Sequence, residues 1–129
     1  MGTGAVLNWS GHPAEAVRWL EAAQRFGEID TLAYMNLGIA RYRLGEYGES
    51  LAAFDRMLAR NPGRMQRLMA RPIRAAAYAR LGKQTEVLRE RAIADRMSPF
   101  FEAERFAAQF GTEEARTAVL AGLREAGFR

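Results

Sequence analysis

Cysteine is absent from the 129 residues, and His12 is the only histidine. Without cysteine there is no disulfide framework, no thiol nucleophile and no cysteine-based zinc site. One histidine cannot form a histidine cluster for a metal, and no companion residues stand out that would complete a catalytic triad. The composition therefore favours a protein that is not an enzyme, and we expect no catalytic residue, metal or cofactor.

Long hydrophobic runs are also missing, because no stretch reaches the roughly 18 to 20 apolar residues of a membrane span. Residues 1–8 lack the basic start and the apolar run of a signal peptide. We therefore expect no membrane contact and a cytoplasmic location. Only four prolines interrupt a sequence that is rich in alanine and leucine, and this composition predicts an all-α fold.

Negative charge is missing from the middle of the sequence. Residues 56–85 carry seven arginines and Lys83 but no acid, whereas both flanking segments are mildly acidic. Such a basic segment indicates an anionic partner or surface. The alternative is a solvated helical face in an arginine-rich protein, and we favour it because a single lysine accompanies all the arginines of the chain.

Two segments of the sequence align at an offset of 34 residues. Gly11 aligns with Gly45, Glu15 aligns with Glu49, and apolar residues coincide at later positions. This offset is the period of tetratricopeptide repeats, each of which is a helix–turn–helix unit.

Residues 31–64 resemble one complete tetratricopeptide repeat. The resemblance rests on the family's aromatic, glycine, small-residue and proline positions, which are Tyr34, Leu37, Gly38, Tyr42, Gly45, Tyr47, Ser50, Phe54, Asn61 and Pro62. Met57 departs from the family, which prefers alanine there. The resemblance implies an α-α superhelix, and it implies a protein-binding rather than a catalytic function.

Four of these positions have a direct physical reason. Gly38 has no Cβ and therefore allows two helices to approach closely, and Gly45 suits a turn that needs a positive φ. Ser50 is small enough to accommodate an aromatic ring packed across the helix pair. Pro62 cannot continue a helix and therefore closes the repeat.

The rest of the chain is organised around this repeat, and we expect a single domain over 1–129. Residues 1–30 form a partial repeat that lacks most of its first helix, and residues 65–99 form a longer, diverged repeat, so the stack has about two and a half repeats. Pro72 is expected to kink the first helix of the diverged repeat or to make it start near Arg71. Because a half-repeat exposes apolar surface, we expect either a fragment of a longer protein or self-association through the truncated repeat.

Residues 100–129 are expected to form a helical cap. Thr112 is placed as the N-cap of a final helix that ends near Gly127. The four phenylalanines between positions 100 and 110 are interpreted as sealing the last repeat, the alternative being an exposed docking patch. Residues 120–128 resemble the C-terminal end of bacterial multidomain proteins in which such repeats follow a nucleotide cyclase or a winged-helix domain. That resemblance implies an accessory role without cyclase activity of its own.

The family resemblance also implies where a partner binds, because the first helices of successive repeats line a concave groove. The groove residues carried over to this sequence are Asn8, Trp9, Met35, Asn36, Ile39, Tyr42, Arg43, Ile73, Ala76 and Arg80. We expect a protein or peptide partner that places an acidic or apolar segment next to Arg43 and Arg80. A peptide's C-terminal carboxylate is not favoured, because Ile39 and Ala76 replace polar groups of the family's carboxylate site.

Nucleic-acid binding is a second hypothesis. It would use a basic band whose members are spaced by three or four residues, namely Arg56, Arg60, Arg64, Arg67, Arg71 and Arg74. These arginines would share one face only if the segment were one continuous helix. Pro62 interrupts it, so nucleic acid is not the favoured partner.

Overall fold

The computed structural model describes residues 12–27 and 29–129 of the chain. These residues form helices and no strand. The helices are α1 (Pro13–Arg25), α2 (Thr31–Arg43), α3 (Tyr47–Leu58), α4 (Arg64–Arg80), α5 (Gln84–Met97), α6 (Ala103–Ala108) and α7 (Glu113–Glu125). Successive helices pack as pairs, α2 with α3 and α4 with α5. The predicted all-α, tetratricopeptide-like fold is therefore confirmed. Within the described ranges, no helix is both long enough and apolar enough to cross a membrane.

Helices α2 and α3 are joined by a close contact at Gly38. A Cβ at this position would lie 2.7 Å from two atoms of the Phe54 ring, and Phe54 is completely buried. Ser50 donates its hydroxyl to the Gly38 carbonyl oxygen at 2.6 Å. The predicted close approach of two helices at Gly38 is therefore confirmed, whereas an aromatic ring beside Ser50 stays a prediction.

Both helix pairs turn on a glycine with a positive φ, 79° at Gly45 and 74° at Gly82. At the first turn, the Gly45 N–H donates to the Tyr42 carbonyl at 3.0 Å, and the Glu46 N–H donates to the Arg41 carbonyl at 2.9 Å. The same pattern of two bonds ends α4. These bonds satisfy carbonyl groups that have no partner inside the helix, and the turn predicted at Gly45 is confirmed.

Helix α4 excludes one of the two alternatives expected at Pro72, a start near Arg71, whereas the expected kink stays a prediction. It begins at Arg64, not near Arg71, and Pro72 lies inside it. Proline has no N–H to donate one turn back, which costs a helix roughly 3 kcal/mol. The helix forms nevertheless because tertiary packing supplies most helical stability in proteins, and here Ala70 and Ile73 on either side of the proline are fully buried.

The tail phenylalanines pack inside the chain with one exception. Phe110 is 1% exposed. The ring centroid of Phe101 lies 5.3 Å from that of Phe106 and 4.9 Å from that of Phe128. This cluster joins α6 to the residues that follow α7, whereas Phe100 is 89% exposed. The packed rings agree with the sealing interpretation, and only Phe100 is available at the surface as the docking alternative requires.

Gly38→Ala should destabilise the fold, because the new methyl group would overlap the buried Phe54 ring. We expect the free energy of unfolding in urea to fall by about 1–3 kcal/mol. Gly48→Ala is the matched control: Gly48 lies in α3, and a Cβ there would meet no atom within 4 Å. The control should be neutral or slightly stabilising. Equal unfolding free energies for the two variants would contradict the close packing at Gly38.

Candidate partner-binding face

The groove residues predicted on α2 are buried. Asn36 and Ile39 are each 1% exposed, and Tyr42 is 3% exposed. The Asn36 side-chain amide donates to the Leu32 carbonyl at 3.0 Å, within its own helix. Met35 is also buried. In this conformation these side chains serve packing, and their role in binding a partner stays a prediction.

The groove residues predicted on α4 follow the same pattern. Ile73 and Ala76 are buried. The arginines at the ends of the two helices are more accessible, since Arg43 is half-buried and the Arg80 side chain is 32% exposed. We call the surface formed by Tyr42, Arg43, Ile73, Ala76 and Arg80 the α2–α4 face. The two remaining predicted groove residues, Asn8 and Trp9, lie outside the described residues.

Helix α7 covers the α2–α4 face, with most of its contacts to α4 and fewer to α2. Gly122 is the point of closest approach. A Cβ on Gly122 would overlap the Tyr42 hydroxyl and would lie 2.9 Å from the Ala76 Cβ. On the same helix, Val119 and Leu123 are buried to 1% and 0% exposure. The helix can sit this close because Gly122 has no side chain.

The ends of α7 are those that the sequence predicts. The Thr112 hydroxyl accepts the Ala115 N–H at 3.1 Å as an N-cap. Glu113 and Glu114 occupy the first turn, where carboxylates stabilise the positive end of the helix dipole. After the last turn, Gly127 has a φ of 95°. Both the predicted N-cap and the predicted stop at Gly127 are confirmed.

Polar contacts also hold α7 on the face. The Tyr42 hydroxyl donates to the Ala118 carbonyl at 3.0 Å. Burial raises the pKa of Tyr42 to about 12, and nearby Arg80 offsets part of that shift, so the hydroxyl keeps its proton at neutral pH. Arg80 forms an ion pair with Glu125 at 3.3 Å. Burial lowers the pKa of Arg43, and the charge of Glu114 opposes that shift.

Acids near the two ends of α7 therefore interact electrostatically with the two arginines that were predicted to lie in the groove. Glu114 acts on Arg43, and Glu125 pairs with Arg80. The sequence predicted an acidic or apolar segment beside these arginines, and the chain's own C-terminal helix now lies there.

The basic band is divided between the interior and the surface. Arg74 lies in the interior, where it pairs with Asp55 at 2.7 Å and with Glu90 at 3.4 Å. Arg71 pairs with Glu90 at 2.9 Å. Burial lowers the pKa of Arg74, but Glu90 and Asp55 raise it more, so its pKa lies above the ordinary value. These two arginines are structural cations that link α4 to α3 and α5.

The other four arginines of the band are divided between two helices and their connection: Arg56 lies in α3, Arg60 follows it, and Arg64 and Arg67 lie in α4 with Arg71. Arg56 is exposed, and the Arg60 guanidinium lies 5.0 Å from the Tyr34 ring centroid. Arg64 donates to the Met97 carbonyl at 2.7 Å, and Arg67 donates to the Asn61 side chain at 2.7 Å. Residues 59–63 separate α3 from α4, so the band does not lie on one continuous helix.

Sequence reasoning missed the buried acid Glu90, which is 1% exposed. A signal was present, because Val87, Glu90 and Ala94 follow helical spacing and form the buried stripe of α5. A carboxylate on an apolar stripe needs a cation, and the acid-free stretch 56–85 supplies two.

No catalytic constellation emerges from the described residues. His12 is exposed at the start of α1. Across 12–27 and 29–129, no group of three acids and histidines lies close enough to hold a metal ion.

Gly122→Ala should destabilise the chain, because the added methyl group overlaps the Tyr42 hydroxyl. We expect a loss of about 1–3 kcal/mol in the free energy of unfolding. Tyr42→Phe removes the overlapping oxygen, so Gly122→Ala should cost at least about 0.5 kcal/mol less in that background. The remaining cost reflects the contacts with the Ala76 Cβ at 2.9 Å and with the ring carbon Cζ at 3.0 Å, which phenylalanine retains. Urea denaturation of the two single variants and the double variant measures this coupling, and strictly additive losses would contradict the contact.

Comparison with known proteins identifies part of the chain. Residues 31–64 match the family model described as Tetratricopeptide repeat. No curated protein and no solved structure matches the chain. The matched residues span α2 and α3 with their turn and continue to the first residue of α4, which is the segment that contains the Gly38–Phe54 contact. Residues 31–64 therefore correspond to one complete tetratricopeptide repeat.

Proposed function

We propose that the chain is a protein-interaction module whose partner presents a helix to the α2–α4 face, in the place that α7 occupies. A tetratricopeptide repeat is generally a non-catalytic scaffold for protein–protein interaction. The observation that carries the proposal is that α7 occupies this face. The side chains of α7 show which kind of helix fits there.

The resident helix defines the ligand by one close contact, one ion pair and one longer-range charge interaction. A residue without a side chain, Gly122, lies against Tyr42. About two turns before it, Glu114 acts on Arg43, and about one turn after it, Glu125 pairs with Arg80. The partner helix in this proposal carries a small residue at its centre and an acid towards each end.

The tether of α7 sets the affinity that a partner needs. Only residues 109–112 separate α7 from α6, and a short linker keeps a binding segment at a local concentration on the order of millimolar. A free helix with the same contacts therefore competes poorly. A physiological partner must add contacts outside the α2–α4 face, or α7 must first be released.

A peptide that copies residues 111–129 tests this proposal. Labelled peptide should bind the unaltered chain weakly, because the tethered α7 already occupies the α2–α4 face. In Gly122→Leu the resident helix cannot sit against Tyr42, so we expect the same peptide to bind at least about tenfold more tightly by fluorescence anisotropy. Ala121→Leu is the matched control, since Ala121 is an exposed neighbour on the same helix.

The arginines are tested in the Gly122→Leu background. Arg43→Ala with Arg80→Ala should weaken peptide binding about tenfold, because each removes a charged partner. Arg18→Ala with Arg89→Ala removes the same charge from exposed positions and should leave binding unchanged. Circular dichroism establishes that each variant is helical. Equal peptide affinity in all of these proteins would overturn the proposed face.

A further inference from the structure

A cleft of about 570 Å³ lies away from the α2–α4 face, where the end of α3 and the start of α4 meet the end of α5. Its lining residues are Leu58, Arg64, Arg67, Arg71, Ile93 and Met97. A volume of this size is within the range of sites that hold small ligands or short peptide segments. None of its residues belongs to the α2–α4 face.

One wall of the cleft is strongly positive. Arg64 and Arg67 both lie in the first turns of α4, and no acid is present in its first turn. The N-cap is Gly63, which offers no side chain to the exposed N–H groups. A helix N-terminus carries partial positive charge and stabilises anions, so this end of α4 combines an uncapped dipole with two cations. A bound anion would interact favourably with the helix dipole and with both arginines.

The arginines are held in place by bonds within the chain. Arg64 is fixed by the Met97 carbonyl, and Arg67 is fixed by the Asn61 side chain. A guanidinium has five N–H donors, so one such bond leaves donors for an anion. Arg71 donates from Nη1 to Glu90, and its buried Nε has no hydrogen-bond partner among the described residues. Cations that are positioned before binding lose little side-chain freedom when a ligand arrives.

The floor of the cleft is aliphatic. This composition favours a protein segment over a nucleic acid as the ligand. Leu58, Ile93 and Met97 are half-buried, and none of the described residues that line the cleft is aromatic. Binding of single-stranded nucleic acid relies on aromatic rings that stack on bases, and duplex binding needs a longer row of cations. A segment with a carboxylate beside an aliphatic side chain fits this floor and this wall.

We propose that this cleft binds an acidic segment of a partner protein, with a carboxylate against Arg64, Arg67 and the N-terminus of α4, and with a neighbouring aliphatic side chain on Leu58, Ile93 and Met97. The site is independent of the α2–α4 face and does not require release of α7.

The decisive variant is Gly63→Asp. The backbone of Gly63 has the extended conformation of an N-cap, with φ −68° and ψ 169°, and a Cβ there would meet no atom within 4 Å. Aspartate at this position caps the helix and places an internal anion beside the arginines. The variant should therefore be more stable in urea and should bind ligand less tightly. Loss of folding cannot produce that combination. Gln84→Asp, at the start of α5, controls for the change in net charge.

The probe is a labelled octapeptide of alternating glutamate and leucine, measured by anisotropy on the full chain. We expect binding to weaken about tenfold in Gly63→Asp and in Arg64→Gln with Arg67→Gln. Gln84→Asp and Arg89→Gln with Arg96→Gln should bind as the unaltered chain does. Arg43→Ala with Arg80→Ala should also leave binding unchanged, which separates this site from the α2–α4 face.

Three outcomes would overturn the proposal. The first is equal affinity of the octapeptide for Gly63→Asp and Gln84→Asp. The second is equal binding of an octapeptide in which glutamine replaces glutamate, which would reduce the site to an apolar surface. The third is competition by oligothymidine that Arg64→Gln with Arg67→Gln abolishes, which would assign the cleft to nucleic acid.

Discussion

The close contact between Gly122 and Tyr42 is the constraint on which the C-terminal half of the molecule depends. Because Gly122 has no side chain, α7 approaches α2 and α4 until the Tyr42 hydroxyl reaches the Ala118 carbonyl. That approach buries Val119 and Leu123 and places the terminal acids of α7 beside Arg43 and Arg80. Any larger residue at position 122 would lift the helix and break these contacts together.

The same contact defines what the α2–α4 face can do. A surface that binds a helix with a small central residue inside the chain is also chemically suited to a helix from another protein. A helix from another protein and α7 would make similar contacts with this face. The tether favours α7 because it raises the effective concentration of α7 at the face. On this account the module is closed in the absence of its partner.

Burial decides the role of the arginines in the acid-free stretch 56–85 more than their position in the sequence does. The acid-free stretch looks uniform in the sequence, yet the fold turns Arg71 and Arg74 towards the buried Glu90. Removing one partner from such a buried pair leaves an uncompensated charge, which typically costs about 3–5 kcal/mol. Arg64 and Arg67 instead line a cleft, so the basic segment contributes both to buried ion pairs and to the surface.

Local signals in the sequence predicted the features that depend on a few neighbouring residues. Gly38 and Gly45 indicated a close approach and a turn, and Thr112 indicated a helix start, because each residue has a specific local chemistry. A start of α4 near Arg71, one of two alternatives expected at Pro72, was wrong, since tertiary packing outweighs the local penalty of the proline. The covering of the predicted groove by α7 could not be read from the sequence, because it joins residues that lie about eighty positions apart.

Residue-resolved amide hydrogen exchange on α7 tests the central claim most directly. If α7 is held against the α2–α4 face, the amides of residues 119–123 should exchange only through large-scale opening, with protection comparable to that of buried α2 and α4 amides. An isolated helix of 13 residues is marginal in water. Exchange of these amides at the rate of a fraying helix, while α2 and α4 remain protected, would contradict the account.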